Sequence, residues 1–243
     1  MKIMQVSLQG SSHRMFQVPN QDALSVSCKD DIVSAAVCDG VSLNSAGTWS
    51  SSEIAAQFCA QTFVAETEGK TPSSKELVDG FQQAASGLLQ ELREQGIPWM
   101  DCQCTMLGIM MTPAILQAGL AGDGGIICED ASGQIRVLVT KPKTGSVVDP
   151  VILAKAWRFA QIDSPRKVLI LTDGLFDQLV FLEDGALAAD LNLVSRWLNA
   201  SQEQLEKLAQ ETPGHDDKTA VLIRVEETQQ TVVDAGALQF SEE

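Results

Sequence analysis

The chain has 243 residues, carries a formal net charge of −15 at pH 7 and is 44% hydrophobic. That length can bury a sizeable core, and the charge repels the phosphate backbone of nucleic acid and an anionic membrane surface, so neither is an expected partner. Basic proteins or divalent cations remain compatible with it, as does the plain reading that the charge only aids solubility. Tyr is absent and aromatics make up 5%, so the core must come from Leu, Ile, Val, Ala and Met. Of the six cysteines, Cys102 and Cys104 are close in sequence but have no neighbouring His, a poor zinc pattern. Reduced thiols in a cytoplasmic protein are expected. The N-terminus turns polar at once, unlike a signal peptide, and no apolar run reaches the ~18 residues of a membrane helix.

Residues 2–8 and 24–28 alternate as half-buried strands, and 31–38 form a continuous apolar strand ending in Asp39-Gly40. Two helices are predicted next, over 47–66 with a capping signal Ser50-x-x-Glu53, and over 74–94 with Ser73-x-x-Glu76. Short apolar runs at 103–111, 115–121, 125–128 and 134–140 predict antiparallel strands. Residues 150–162 read as a helix, 167–172 as a strand ending in Asp173-Gly174, then helices at 174–180, 190–198 and 201–211 and a strand at 219–225. The polar tail 226–243 reads as a loose terminus. Trp49, Trp99, Trp157 and Trp197 are dispersed and are expected to pack in the core or its rim. Without a regular βαβ alternation, this order predicts one α+β domain with antiparallel sheets in the middle and helices outside.

Aspartates recur at strand edges. Asp39 and Asp173 end two strands, Asp123 lies in Gly-Asp-Gly-Gly between two more, Asp216-Asp217 precede the last, and Asp22 precedes an early one. A strand end holds a side chain rigidly, and a neighbouring Gly lets backbone approach an ion closely. Hard oxygen ligands suit Mg²⁺ or Mn²⁺, and two ions sharing a carboxylate generate a nucleophilic water near neutral pH. Any single Asp-Gly is more often only a turn.

In this order, NQDA (20–23), VCDG (37–40), AGDGG (121–125), LILTDGLFD (169–177) and DDKTAVLI (216–223) resemble the motif series of the metal-dependent serine/threonine phosphatases, the type 2C or PPM family. The early stretch GSSHRMFQVPNQDA is similar to its bacterial branch. The resemblance implies a central antiparallel β-sandwich flanked by helices on both faces, four layers in the order α-β-β-α, within residues 1–225. It also implies hydrolysis of phosphoserine or phosphothreonine in a protein substrate, two divalent ions (Mn²⁺ or Mg²⁺), a cognate Ser/Thr kinase, and a monomer. Carried over by position, Asp39 bridges both ions, Gly40 offers its carbonyl, and Asp173 and Asp216 complete one shell. Asp22 acts on bound water, Asp123 holds a third, weaker ion, and Thr105 is structural.

Four departures stand out. Val41-Ser42-Leu43 replaces the family's H-G-G, so its proposed acid is missing; His215 or a water on the metal is a candidate replacement, with an ordinary loop residue the plainer reading for His215. Arg14 is the candidate phosphate clamp, set farther from Asp22 than usual, with a surface arginine the alternative. The flap segment, 126–166, is short. Gln21 stands where many members have Glu. These departures keep a second reading open, a catalytically inactive module that binds a regulatory partner, and a third in which the site acts on a non-protein phosphoester.

Overall fold

The computed structural model describes residues 1–42, 50–140, 149–183 and 186–226. In chain order the elements are β1 (Lys2–Leu8), α1 (Ser11–Phe16), β2 (Asp22–Lys29), β3 (Ile32–Asp39), α2 (Ser52–Thr67), α3 (Ser74–Gln95), β4 (Met106–Met111), β5 (Ile115–Ala121), β6 (Gly125–Asp130) and β7 (Ile135–Thr140). They continue with β8 (Arg158–Asp163), β9 (Pro165–Leu171), α4 (Asp173–Phe176), β10 (Val180–Glu183), β11 (Ala186–Ala189), α5 (Leu191–Leu198), α6 (Gln202–Glu211) and β12 (Lys218–Arg224).

Two five-stranded antiparallel sheets result, in the orders β2-β3-β4-β5-β8 and β1-β12-β9-β6-β7, beside a β10-β11 hairpin. Alternation along the central strands explains the layering. On β4, Met106 and Met110 face α2 and α3, whereas Leu107, Ile109 and Met111 face the other sheet. On β9, Leu169 and Leu171 face α5 and α6, whereas Val168 and Ile170 join the inter-sheet layer. Strands covered on both faces must be apolar throughout, hence the unbroken runs in the sequence. The four-layer α-β-β-α sandwich expected from the motifs is therefore present.

The outer helix layer is seated through aromatic rings. Phe63 of α2 and Phe81 of α3 meet edge to face with centroids 5.6 Å apart, a favoured geometry. They fit because Gly108 and Gly119 pair across β4 and β5. A Cβ on Gly119 would lie 2.6 Å from the Phe81 ring, and one on Gly108 2.8 Å from Phe63.

Several expectations change. Residues 150–162 are not helical: a short 3₁₀ turn at Ala154–Ala156 leads into edge strand β8, paired with β5. The amphipathic pattern there belongs to a half-exposed edge, with Phe159 meeting Phe81 edge to face at 5.4 Å. The helix expected at 174–180 stops at Phe176, and Val180 opens the hairpin. Short helix α1 was not expected. The 74–94 helix is capped as read, with Glu76 N donating to the Ser73 hydroxyl at 3.2 Å, and α6 carries its full capping box. The Ser50 signal fails because its hydroxyl donates to the Val41 carbonyl instead; α2 begins at Ser52. Trp197 is core, Trp157 packs on Phe81 and Trp99 lies at the rim. Leu43, Trp49, the expected helix start at 47, part of the flap segment (141–148) and the tail beyond Glu226 lie outside the described residues. Among those described, no helix is long and apolar enough to cross a membrane.

Candidate metal centre

The strand ends bring acidic side chains together at one end of the sandwich. Antiparallel pairing sets Asp22 of β2 opposite Asp39 of β3. Thr105 clamps Asp39 from the next strand: its N–H donates to the Asp39 carbonyl at 2.8 Å, and its Oγ1 accepts from Asp39 N at 3.2 Å. Beyond Asp39, Gly40 donates its N–H to the Gln21 carbonyl at 3.0 Å, and a Cβ there would come 2.8 Å from Ser52.

The link between β5 and β6 crosses from one sheet to the other and carries Asp123. Gly122 has φ 101° and Gly124 φ 82°, a left-handed backbone natural to glycine. A Cβ would also sit 2.5 Å from Thr105 Cγ2 at the first and 2.6 Å from the Leu171 carbonyl at the second. From the second sheet, β9 delivers Thr172 and Asp173. The Thr172 hydroxyl donates to Asp22 Oδ2 at 2.9 Å and accepts from Thr219 N at 3.0 Å, tying the end of β12 to that of β2.

Asp39, Asp123 and Asp173 each place a carboxylate oxygen within 4.8 Å of the other two. Burial, then the charges of Asp22, Asp173, Asp216 and Asp123, hold the Asp39 carboxyl well above the ordinary carboxylate range. Burial likewise raises Asp22, against opposing hydrogen bonds from Thr219 and Thr172. Burial and Asp173 raise Asp216, which lies at the exposed edge. Buried Asp22 Oδ1 and Gln21 Oε1 have no hydrogen-bond partner among the described residues. Crowded, desolvated carboxylates beside unsatisfied acceptors are costly without a cation. The residues therefore fit a hard divalent ion with oxygen ligands.

The convergence divides the sequence candidates. Asp39, Asp173 and Asp123 form the tight group, so Asp123 joins the centre itself. Asp22 lies beside Asp39, and Asp216 acts electrostatically on Asp39 and Asp173 from outside that group. Arg14 is exposed; its guanidinium donates to the Gln9 carbonyl and lines a cleft of about 210 Å³ with Lys218. His215 is exposed, with Nδ1 2.9 Å from the Ser11 hydroxyl.

Sequence reasoning missed His13 and Asp217, both 2% exposed. Asp217 Oδ1 accepts from Gly10 N at 2.6 Å, and Oδ2 accepts from Gln21 N at 2.6 Å and from His13 Nδ1 at 2.7 Å. His13 Nε2 lies 3.2 Å from the Ser42 hydroxyl. The available signal was a second Asp immediately before a strand with an apolar middle, Ala220–Ile223, where an acidic side chain that is buried must be paired.

Carboxyls whose folded pKa is raised favour the folded state below their unfolded pKa, near 3.8 for Asp, and that stability is lost as pH rises toward the folded value. A bound cation reverses this repulsion. Mn²⁺ at about 100 times its Kd contributes about 2.7 kcal/mol, roughly 5–10 °C in Tm at this size. Thermal melts with EDTA or Mn²⁺ should show a larger metal-induced rise at pH 7.5 than at pH 5; an equal or larger rise at pH 5 would contradict the carboxylate crowding.

Acidic side chains from both sheets of an antiparallel sandwich converge here in a group that could hold a divalent cation. The protein phosphatase 2C family pattern matches residues 9–211; the chain belongs to the protein phosphatase 2C family. Among solved structures it is similar to a single-residue variant of a bacterial serine phosphatase (TM-score 0.67, 16% identity, 93% of this chain and 99% of that one). It is similar to the serine/threonine phosphatase Stp1 from Staphylococcus aureus (TM-score 0.64, 14% identity, 93% and 96%). A third is PppA, a key regulatory component of T6SS in Pseudomonas aeruginosa (TM-score 0.63, 15% identity, 92% and 96%). No curated protein matches the sequence. The resemblance read from the Asp-containing motifs thus holds for family and for fold.

Proposed function

We propose that the chain is a metal-dependent phosphatase acting on phosphoserine and phosphothreonine in proteins. The observation that carries this reading is the convergence of Asp39, Asp123 and Asp173 within 4.8 Å, in a chain of this family. Two divalent ions, Mn²⁺ or Mg²⁺, would supply an acidified water and a counter-charge for the phosphoryl oxygens. Asp39, Asp173, Asp216 and the Gly40 carbonyl would hold these ions, with Asp39 at the middle of the set, and Asp123 would hold a third, weaker one. Asp22 keeps Oδ2 on Thr172 and has Oδ1 left to orient the attacking water. Arg14 holds the substrate phosphate once its side chain leaves the Gln9 carbonyl. The six cysteines are free thiols, consistent with a reducing cytoplasm, where a monomer reverses a cognate Ser/Thr kinase.

One observation favours a second reading. Val41 and Ser42 replace the expected H-G, and the Arg14 guanidinium is engaged by the Gln9 carbonyl, as in a module that binds a partner without catalysis. A panel of phosphoserine and phosphothreonine peptides against small phosphomonoesters, with Mn²⁺ or EDTA, separates the readings. Preferred hydrolysis of peptides with metal is expected. Preference for small esters would make the substrate non-protein, and no hydrolysis by folded protein would leave the binding module.

A further inference from the structure

Asp217, His13 and Ser42 form a chain of hydrogen bonds that the two-ion chemistry leaves unused. Asp217 is acceptor-only when ionised, so His13 Nδ1 donates to it and Nε2 is the working nitrogen, 3.2 Å from Ser42 Oγ. Backbone amides of Gly10 and Gln21 fix the carboxylate, which locks the ring in one orientation. The chain begins beside the centre: Asp217 follows Asp216, and His13 acts electrostatically on the Asp216 carboxyl. Its other end follows Asp39 closely in the sequence: Ser42 lies three residues after it, and its carbonyl accepts from Ser50 N at 3.0 Å.

Such an orienter, imidazole and hydroxyl in sequence move protons. A serine or threonine alkoxide is a poor leaving group, and a carboxylate that holds a cation is ionised and has no proton to give it. We propose that Ser42 protonates the leaving oxygen and that His13, oriented by Asp217, resupplies Ser42. This inference rests on the phosphatase reading above. As the P–O bond to the substrate side chain breaks, its electron pair stays on the departing oxygen, which takes the Ser42 Oγ proton. Ser42 takes the Nε2 proton of the imidazolium, leaving neutral His13 with Nδ1–H on Asp217. The attacking water forms the new P–O bond and releases one proton to solvent, from which the imidazole is recharged. Ser42 is the catalytic residue in this step, and His13 and Asp217 are positioning and supply residues.

Leaving-group dependence tests the step, because p-nitrophenolate departs without a proton whereas a serine alkoxide does not. For His13→Gln and Ser42→Ala, kcat on a phosphoserine peptide should fall about 10²-fold, against less than about tenfold on p-nitrophenyl phosphate, and Ser42→Thr should restore the peptide rate. Equal loss on both substrates, or loss on neither, overturns the proposal. Where His13→Gln fails to fold, Ser42→Ala, which removes only a half-buried hydroxyl, carries the same comparison. Wild type inactive on both substrates overturns the phosphatase reading and this inference with it. A readout independent of turnover comes from proton NMR of the metal-free protein, which has two histidines. A solvent-protected, downfield imidazole N–H resonance should persist in His215→Gln and vanish in His13→Gln. Its absence from the folded wild type overturns the Asp217–His13 geometry itself.

Discussion

Replacing Asp39 by Asn should lower metal-dependent phosphoester hydrolysis by about 10³-fold or more, several kcal/mol of lost charge stabilisation at 1.36 kcal/mol per decade. Asp39 is desolvated by burial, and four neighbouring charges, Asp22, Asp173, Asp216 and Asp123, all press on it. That crowding marks it as the group best placed to share cations, and it separates function from folding. Asn keeps the size and the Thr105 clamp, which uses only the Asp39 backbone, while removing one of the repelling charges. The metal-free variant should therefore melt no lower than wild type, and its Tm rise with Mn²⁺ should shrink, a trade of function against stability common at strained sites. Kinetics and melts on one preparation decide this. Activity within tenfold of wild type would place the chemistry elsewhere.

Asp217→Ala should be the most destabilising acidic-residue substitution in the chain, costing about 3–5 kcal/mol because it leaves several buried donors without an acceptor. The three are the amides of Gly10 and Gln21 and the Nδ1–H of His13. They belong to the loop before α1, to α1 itself and to the lead-in to β2, so this carboxylate fastens the N-terminal segment to the start of β12. Space reinforces the point: a Cβ on Gly174 would lie 2.1 Å from the Asp217 carbonyl, so the segment has no slack. Urea unfolding should place Asp217→Asn between Ala and wild type, since the amide keeps one acceptor oxygen. A loss under 1 kcal/mol for Ala would show that these donors find water instead.

What the sequence revealed followed from burial on two faces. Runs such as Met106–Met111 and Val168–Leu171 leave no ambiguity about their strands, and the Asp-Gly at the end of a run is visible without coordinates. What it hid depends on partners far away in the chain. Helix α1 has six residues, too few for a periodic signal, and the burial of His13 is decided by Asp217, 204 positions later. Strand β8 has one half-exposed face, so its pattern mimicked an amphipathic helix. Ser50 carried a sound capping signal that lost to a tertiary acceptor, Val41. The ranking of the carboxylates was equally hidden. Spacing alone gave Asp39, Asp123, Asp173 and Asp216 equal standing, whereas the Gly122–Gly124 turn brings Asp123 close to Asp39 and Asp173, and Asp216 is the more exposed.

The most direct measurement is hydrolysis of p-nitrophenyl phosphate by wild-type protein stripped with EDTA and titrated with Mn²⁺, with Tm followed across the same concentrations. No hydrolysis without metal, then activity and Tm rising together to saturation, is the predicted result. Undiminished hydrolysis in EDTA, or a folded protein that gains neither activity nor stability at saturating Mn²⁺, would contradict a catalytic metal centre at Asp39, Asp123 and Asp173.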